Sequence, residues 1–250
     1  MATEVEIERK GRLAIVTMNR PERRNALGEK GIKALLAAFA EMSRDESCGA
    51  AVLTGAPPAF CSGSDLKELG PLTVAGMCDH QAEAARLVRM LGLLPLPVVA
   101  AVEGYALGGG FVLAASCDVV VSARGARWSM PEVKNGWLPP WGLQALVARV
   151  GPVRARLVTW GITEIDGEEA HRLGIADAVV DDGKALAHAE ELAQRLAVLP
   201  PNAVRSAKRY FEPFVMRDAE RQDAEASRVF AQDAESAAAQ ATLARFIKEK

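Results

Sequence analysis

The stretch PVVAAVEGYALGGGFVLAASCDVVVSA, residues 97–123, decides the fold of this chain. Its first half is a run of valines and alanines that is typical of a buried β-strand. The glycines 108–110 come next and precede a short apolar helical segment, after which CDVVVSA, residues 117–123, predicts another strand. A strand, a helix and a strand in this order predict an α/β core.

The residues before this stretch continue the alternation of strands and helices. Alternating apolar residues around a glycine turn predict a β-hairpin over residues 5–17. Apolar residues at helical spacing predict helices over residues 29–43 and 79–94. Between these helices, AAVLTG at residues 50–55 predicts a strand, and the loop after it is rich in Pro, Gly and Ser until a helical pattern resumes at Leu66.

The C-terminal part of the chain has a different composition. From Pro200 onward the sequence is rich in Ala, Glu, Gln and Arg, and it has no strand pattern. We therefore predict two regions, a core over residues 1–196 and a helical region over residues 197–250. Apolar residues such as Phe230 and Phe246 require burial against the core or against another subunit.

The overall composition excludes several classes of protein. The 250 residues carry a formal net charge of −2, which gives no indication of nucleic-acid binding. Four cysteines without a CxxC pair predict reduced thiols. The first residues lack the pattern of a signal peptide, and prolines, a glutamate and glycines interrupt the most apolar stretch, residues 91–115. We therefore expect a cytoplasmic protein without a membrane partner.

Two glycine-bearing loops carry the chemical prediction. FCSGSDL, residues 60–66, runs into a predicted helix, and EGYALGGG, residues 103–110, ends where another begins. Free N–H groups at the start of a helix carry partial positive charge and bind anions. Two such donors that converge on one carbonyl oxygen would form an oxyanion hole. The second loop does not have the GxGxxG order of a dinucleotide-binding site.

A series of short motifs runs through most of the chain. The motifs are NRP (19–21), NAL (25–27), LTG (53–55), GSDL (63–66), AVEG (101–104) with the triple glycine, CD (117–118), PE (131–132), Gly136, Pro139, Ala170 and Leu173-Gly174. In this order and at this spacing they closely resemble the enoyl-CoA hydratase/isomerase family, also called the crotonase superfamily.

The resemblance implies a fold, a substrate and an assembly. The fold is a crotonase-type spiral of ββα turns in which residues 1–196 form the acyl-CoA-binding core. Residues 197–250 would form a helical trimerisation region, and the trimers commonly pair into hexamers. The substrate is an acyl-CoA thioester, so coenzyme A enters as part of the substrate and no separate cofactor or metal is expected.

The resemblance also implies the catalytic groups. The backbone N–H groups of Ser64 and Gly109 would be the oxyanion donors, and Glu132 would be the proton-transferring carboxylate. Hydratases of the family hold a second glutamate just after the triple glycine, where this chain has Val112, which cannot accept a proton. One carboxylate opposite an oxyanion hole can still move a proton between two carbons. We therefore hypothesise Δ3–Δ2 enoyl-CoA isomerisation.

Other interpretations of these residues remain open. Glu132 could instead cap a helix or pair with an arginine such as Arg127. Hydration or another crotonase-type lyase reaction would be possible if His80 or a bound water replaced the missing carboxylate, because one fold supports many chemistries. The loss of the second glutamate could also indicate a non-catalytic acyl-CoA-binding protein.

Further candidates are expected to contact the substrate. Asp65 follows an oxyanion donor, although an acid at a helix start is often a cap. Asp79 and His80 head the predicted helix 79–94, which by resemblance borders the acyl pocket. Val112 would line the same pocket.

The segment GWLPPWG, residues 136–142, corresponds in the family to a flexible glycine-rich turn at the acyl site. Here Trp137, Pro139 and Trp141 stiffen the segment and narrow the space, which favours a short or an aromatic acyl group. Both tryptophans could also be packing residues.

The binding site for the coenzyme A moiety has weaker candidates. Arg23 and Arg24 lie where family members often place a basic residue near the phosphates, and the backbone around Ser62 would meet the adenine. Lys248 and Lys250 could reach the coenzyme A of a neighbouring subunit.

Overall fold

The computed structural model describes residues 3–247, and it confirms an α/β core with a helical C-terminal region. The strands are Val5–Lys10 (β1), Leu13–Met18 (β2), Ala50–Gly55 (β3), Val98–Val102 (β4), Tyr105–Leu107 (β5), Val119–Ala123 (β6), Arg127–Ser129 (β7) and Ala178–Val180 (β8). The helices are Glu29–Met42 (α1), Leu66–Leu69 (α2), Val74–Leu93 (α3), Gly109–Ala115 (α4), Glu132–Asn135 (α5), Leu143–Val150 (α6), Pro152–Thr159 (α7), Gly167–Leu173 (α8), Ala185–Ala197 (α9), Pro201–Met216 (α10), Ala219–Ala234 (α11) and Ala237–Ala244 (α12). Within the described range, the structure contains no helix with the length and apolarity that a bilayer crossing requires.

The strands form two sheets that are linked by the ββα repeat. The larger sheet has the order β1-β2-β3-β4-β6-β8, with β1 antiparallel to β2 and every later pair parallel. The smaller sheet pairs β5 with β7. Thus β4-β5-α4 and β6-β7-α5 each place one strand in the larger sheet, one in the smaller sheet and a helix after them. All residues of β4 are buried, as expected for a parallel strand that is covered on both faces.

The turn from the larger to the smaller sheet depends on Gly104. This residue has φ +65°, and a side chain there would collide with the carbonyl oxygen of Pro58. Glycine adopts this backbone conformation without steric cost. The close contact between Pro58 and the residue just before β5 is therefore possible.

The C-terminal helices pack on the same chain's core beside the glycine-bearing loops. Helix α11 packs along α3, and α12 contacts α5. A second apolar cluster joins the two regions and consists of Leu69, Met77, Trp137, Phe230, Ala234, Ala239 and Leu243. Gly136 permits this contact, because a side chain there would lie 2.6 Å from the backbone nitrogen of Ala239.

The predicted start of helix α3 was wrong. The helix begins at Val74, and the hydroxyl of Thr73 accepts a hydrogen bond from the N–H of Gly76 at 3.2 Å. Asp79 and His80 therefore lie inside the helix and do not head it. A Thr at the N-cap followed by helical residues was the signal that marked the true start.

Candidate active site

The two glycine-bearing loops lie edge to edge. The N–H of Cys61 donates to the carbonyl of Tyr105 at 2.9 Å, and the N–H of Leu107 donates to the carbonyl of Cys61 at 3.0 Å. Gly63 has φ +89°, and a side chain there would lie 2.8 Å from the carbonyl oxygen of Leu107 and 3.1 Å from the nitrogen of Gly109. The loops approach this closely only because position 63 is glycine.

This contact places the two predicted oxyanion donors on one cavity. Gly109 is the first residue of α4, and Ser64 directly precedes Asp65, the N-cap of α2. In residues 3–247, neither the N–H of Ser64 nor that of Gly109 donates to a protein acceptor. Both residues line the same cavity, so two free donors face a common space.

The cavity has a volume of about 60 Å³. Eight of the residues predicted from the sequence line it, namely Ser62, Ser64, Gly109, Val112, Glu132, Trp137, Pro139 and Trp141. Residues that were not predicted also contribute, among them Met77, Gln81, Asn135, Phe230 and Leu243. Pockets for small molecules usually measure roughly 300–1,000 Å³, so this one is narrow.

Glu132 is the first residue of α5, and its carboxylate faces the triple-glycine loop. A side chain at Gly108 would collide with Glu132 Oε1. The other oxygen, Oε2, is enclosed and has no hydrogen-bond partner among the described residues, although the residue as a whole keeps some exposure. Burial raises the pKa of Glu132 to about 7. A carboxyl with a pKa near neutrality can both remove and return a proton.

The ion pair considered between Glu132 and Arg127 is not formed. The guanidinium of Arg127 instead lies 6.0 Å from the ring centroid of Tyr105. Since Oε2 has no hydrogen-bond partner within the described range, no protein contact offsets the burial of this oxygen.

Apolar groups close the side of the cavity where hydratases hold their second glutamate. Val112 is 1% exposed, and its Cγ1 packs so tightly on Gly142 that a side chain at Gly142 would collide with it. The ring of Trp141 lies against Gly109. A side chain at Gly109 would come within 2.8 Å of the indole carbons Cζ2 and Cη2. A water molecule on this side would meet apolar groups instead of a base.

Gln81 is a site residue that the sequence analysis missed. Its Oε1 accepts hydrogen bonds from Trp141 Nε1 at 2.7 Å and from Ser64 Oγ at 3.2 Å. The residue is 5% exposed and lies on the buried face of α3 between Met77 and Ala84. A polar residue within an apolar helical stripe was the signal in the sequence. Gln81 therefore holds the indole of Trp141 against Gly109.

Helix α11 holds the segment 137–142 at both ends. Asp233 accepts a hydrogen bond from the N–H of Leu138 at 2.9 Å, and Asp223 accepts one from the N–H of Gly142 at 2.8 Å. Arg89 of α3 pairs with Asp223. The turn is therefore fixed by charge-assisted hydrogen bonds, which are stronger than neutral ones.

Asp65 acts as a structural residue in this structure. Its Oδ1 accepts a hydrogen bond from the N–H of Lys67 at 3.0 Å and so caps α2. Its Oδ2 lies 3.1 Å from Arg20 Nη2 and 3.6 Å from Arg23 Nη2. Both carboxylate oxygens are engaged by these contacts.

His80 lies beside the site. Both ring nitrogens are buried without a hydrogen-bond partner in residues 3–247, and burial lowers the pKa of His80. The carboxylates of Glu68, Glu29 and Asp65 oppose this shift but are weaker than burial. Of the described residues on α3, the neighbouring Gln81 lines the cavity and His80 does not.

The residues predicted to bind coenzyme A lie together at the edge of the first loop. Ser62 Oγ donates to the carbonyl of Arg23 at 3.1 Å, and the N–H of Ser62 donates to the carbonyl of Arg24 at 3.0 Å. The guanidinium of Arg24 is exposed and lies 5.2 Å from the ring centroid of Tyr105. Lys248 and Lys250 lie outside the described residues.

Comparison with known proteins identifies the family. The family model described as enoyl-CoA hydratase/isomerase matches residues 8–250. The chain belongs to the enoyl-CoA hydratase/isomerase family. This result confirms membership in the crotonase superfamily and establishes the chain as an enzyme of this hydratase/isomerase family, with its reaction still open.

Relatives and solved structures in the family cover most of the chain. A probable enoyl-CoA hydratase of Mycobacterium tuberculosis is 37% identical over 204 residues, which are 81% of this chain and 78% of that protein. A short-chain-enoyl-CoA hydratase of Clostridium acetobutylicum is 34% identical over 206 residues, 82% of this chain and 79% of that protein. The crystal structure of an enoyl-CoA hydratase/isomerase from Mycobacterium paratuberculosis matches 98% of this chain and 99% of that one, with a TM-score of 0.89 and 28% identity. The last match confirms the crotonase-type fold.

Proposed function

We propose that this enzyme catalyses Δ3–Δ2 isomerisation of an enoyl-CoA thioester with Glu132 as the single acid and base. The observation that carries the proposal is the buried, partnerless carboxylate of Glu132. Of the described residues that line the cavity, it is the one ionisable side chain, and it shares the cavity with Ser64 and Gly109. Perturbed carboxyls in such cavities are candidates for proton transfer.

The reaction follows from these positions. The thioester oxygen accepts hydrogen bonds from the N–H groups of Ser64 and Gly109. The Glu132 carboxylate removes a proton from C2 of a 3-enoyl thioester, and the electron pair of the broken C–H bond spreads over a dienolate whose oxygen stays in the hole. Glu132 then returns the same proton to C4. The double bond moves from C3–C4 to C2–C3, and no other reactant is needed.

Hydration of a 2-enoyl thioester is the second candidate, because two of the relatives are named as hydratases. It would require an activated water on the side of the cavity where Val112 and Trp141 present apolar groups. The isomerase proposal requires no such water. A silent acyl-CoA-binding protein would gain nothing from a buried carboxylate that costs stability when ionised.

The ultraviolet absorbance of the conjugated enoyl thioester distinguishes these candidates. With a 3-enoyl-CoA the absorbance is expected to rise, because isomerisation creates the conjugated 2-enoyl product. With a 2-enoyl-CoA alone, hydration would make the absorbance fall, and a fall at a rate equal to or above that of isomerisation would overturn the proposal. Saturated butanoyl-CoA binding without turnover of either substrate would identify a silent binder.

The pH dependence of the reaction should report on Glu132. Because the free enzyme must have an ionised Glu132 to remove a proton, kcat/KM is expected to rise as the pH increases through about 7. The folded state binds a proton that the unfolded chain releases, so stability should decrease as the pH rises from the ordinary pKa of Glu through about 7. Rates and melting temperatures measured from about pH 5 to 9 test the expected rise in kcat/KM and the expected decrease in stability. A kcat/KM that stays flat across neutrality would contradict the assignment.

We also propose how the remaining groups serve the substrate and the assembly. Arg23, Arg24 and the backbone of Ser62 would hold the coenzyme A moiety, a proposal supported by their contact at the cavity edge. The helical region 197–250 would form homotrimers or homohexamers. Support comes from α10, where Tyr210 is exposed and lies 5.2 Å, between ring centroids, from the exposed ring of Phe211.

A further inference from the structure

Trp137 separates two cavities of very different size. On one side lies the catalytic cavity of about 60 Å³. On the other side lies an apolar cavity of about 520 Å³ to which Leu138, Leu143, Val147 and Val229 contribute. Trp137 is the one described residue that lines both cavities, so it lies at the boundary between them and forms the partition.

The partition is held in place by its surroundings. Trp137 is 6% exposed, and its backbone N–H donates to the carbonyl of Glu132 at 3.1 Å. Its indole packs edge-on against Phe230, with ring centroids 6.2 Å apart and an interplanar angle of 84°. The next residue, Leu138, is fixed by Asp233 through its N–H. Two hydrogen bonds therefore fix the backbone at residues 137 and 138, and Phe230 packs against the indole.

The second cavity has the character of a site for an alkyl chain. Its side walls come from α6, α7 and α11, and they include two charged residues, Arg156 and Asp233. The guanidinium of Arg156 lies 5.6 Å from the ring centroid of Trp160, and Asp233 accepts the hydrogen bond from Leu138. Leu143, Val147 and Val229 contribute aliphatic surface to the lining of this cavity.

We infer that Trp137 is the residue that sets acyl-chain length, by ending the acyl chain at the catalytic cavity and closing the adjacent apolar cavity to it. This inference rests on the proposed acyl-CoA function. The catalytic cavity measures about 60 Å³ and the adjacent one about 520 Å³, so an acyl chain that stops at Trp137 must be short. The substrate is therefore a short-chain acyl-CoA, and Trp137 separates its acyl chain from a larger, mostly apolar pocket with room for a longer one.

The test is the binding of saturated acyl-CoAs of different length to the whole enzyme. Butanoyl-CoA and dodecanoyl-CoA are titrated by calorimetry into wild type, Trp137→Leu and Trp137→Phe. Each methylene buried in a newly opened cavity strengthens binding roughly fourfold. The dodecanoyl-to-butanoyl affinity ratio is expected to rise at least tenfold in Trp137→Leu and by less in Trp137→Phe, which keeps more of the packing with Phe230.

A second substitution tests whether a change in the affinity ratio comes from access to the far cavity or from a general loss of packing around Trp137. Val229→Trp places an indole in the far cavity and takes up part of its space, so Trp137→Leu with Val229→Trp should lower the affinity ratio back toward the wild-type value. Val229→Trp alone should leave butanoyl-CoA binding and short-chain turnover unchanged. An unchanged ratio in both folded Trp137 variants, with butanoyl-CoA still bound, would overturn the inference and leave the proposed function intact. Wild type that does not bind butanoyl-CoA at all would overturn the proposed function itself.

Discussion

Glu132→Gln is expected to lower the rate of 3-enoyl-CoA isomerisation by about 10²- to 10⁴-fold, the usual contribution of a positioned acid or base. The amide keeps the shape of the side chain but cannot take up the C2 proton. Because binding depends on the oxyanion donors and the coenzyme A contacts, the affinity for butanoyl-CoA should stay within a few-fold of wild type. Single-turnover absorbance measurements with calorimetric titration separate these two effects.

The same variant provides a folding control. Glutamine cannot ionise, so Glu132→Gln should lose the decrease in melting temperature that wild type shows as the pH rises through about 7. A variant that melts normally, binds butanoyl-CoA and still isomerises within threefold of wild type would exclude Glu132 as the proton carrier.

Ser64→Pro is expected to have the second large effect. Proline has no N–H, so the substitution removes one of the two proposed oxyanion donors. Loss of one such donor typically lowers kcat by about 10²- to 10³-fold. Isomerisation should decrease by at least this factor, measured with the same absorbance assay.

Ser64→Ala is the matched control for this prediction. It keeps the N–H and removes only the hydroxyl that donates to Gln81 at 3.2 Å. Its activity should therefore stay within about tenfold of wild type, since a neutral hydrogen bond contributes roughly 1 kcal/mol. Equal losses in Ser64→Ala and Ser64→Pro would show that the hydroxyl matters and the amide does not. Melting curves of both variants check that Ser64→Pro is folded.

The elements that could be predicted from sequence are those with a local signal. The hairpin over residues 5–17 and the strand over residues 50–55 show in their apolar patterns, and the structure confirms them. Ser64, Gly109 and Glu132 were found through short motifs in a fixed order, and all three line one cavity. A short motif can identify such residues because the local backbone conformation, which nearby residues determine, sets their positions. Contacts with residues far away in the chain are not needed.

The parts that escaped prediction depend on contacts between residues far apart in the chain. Gln81 contributes through Trp141, sixty residues later, and nothing near Gln81 in the sequence indicates this partner. Asp223 and Asp233 hold the segment 137–142, and Asp223 lies eighty-one residues after the end of that segment. The short strands β5 and β7, each three residues long, have too few residues to show a period.

The C-terminal wall of the cavity has a consequence for biosynthesis. Phe230 and Leu243 enclose a cavity whose loops are translated more than a hundred residues earlier. Chains emerge from the ribosome N-terminus first, at about 5–20 residues per second. The two glycine-bearing loops and Glu132 therefore leave the ribosome several seconds before the residues that cover them. Until the last helices are released, the apolar side of this cavity has no C-terminal wall.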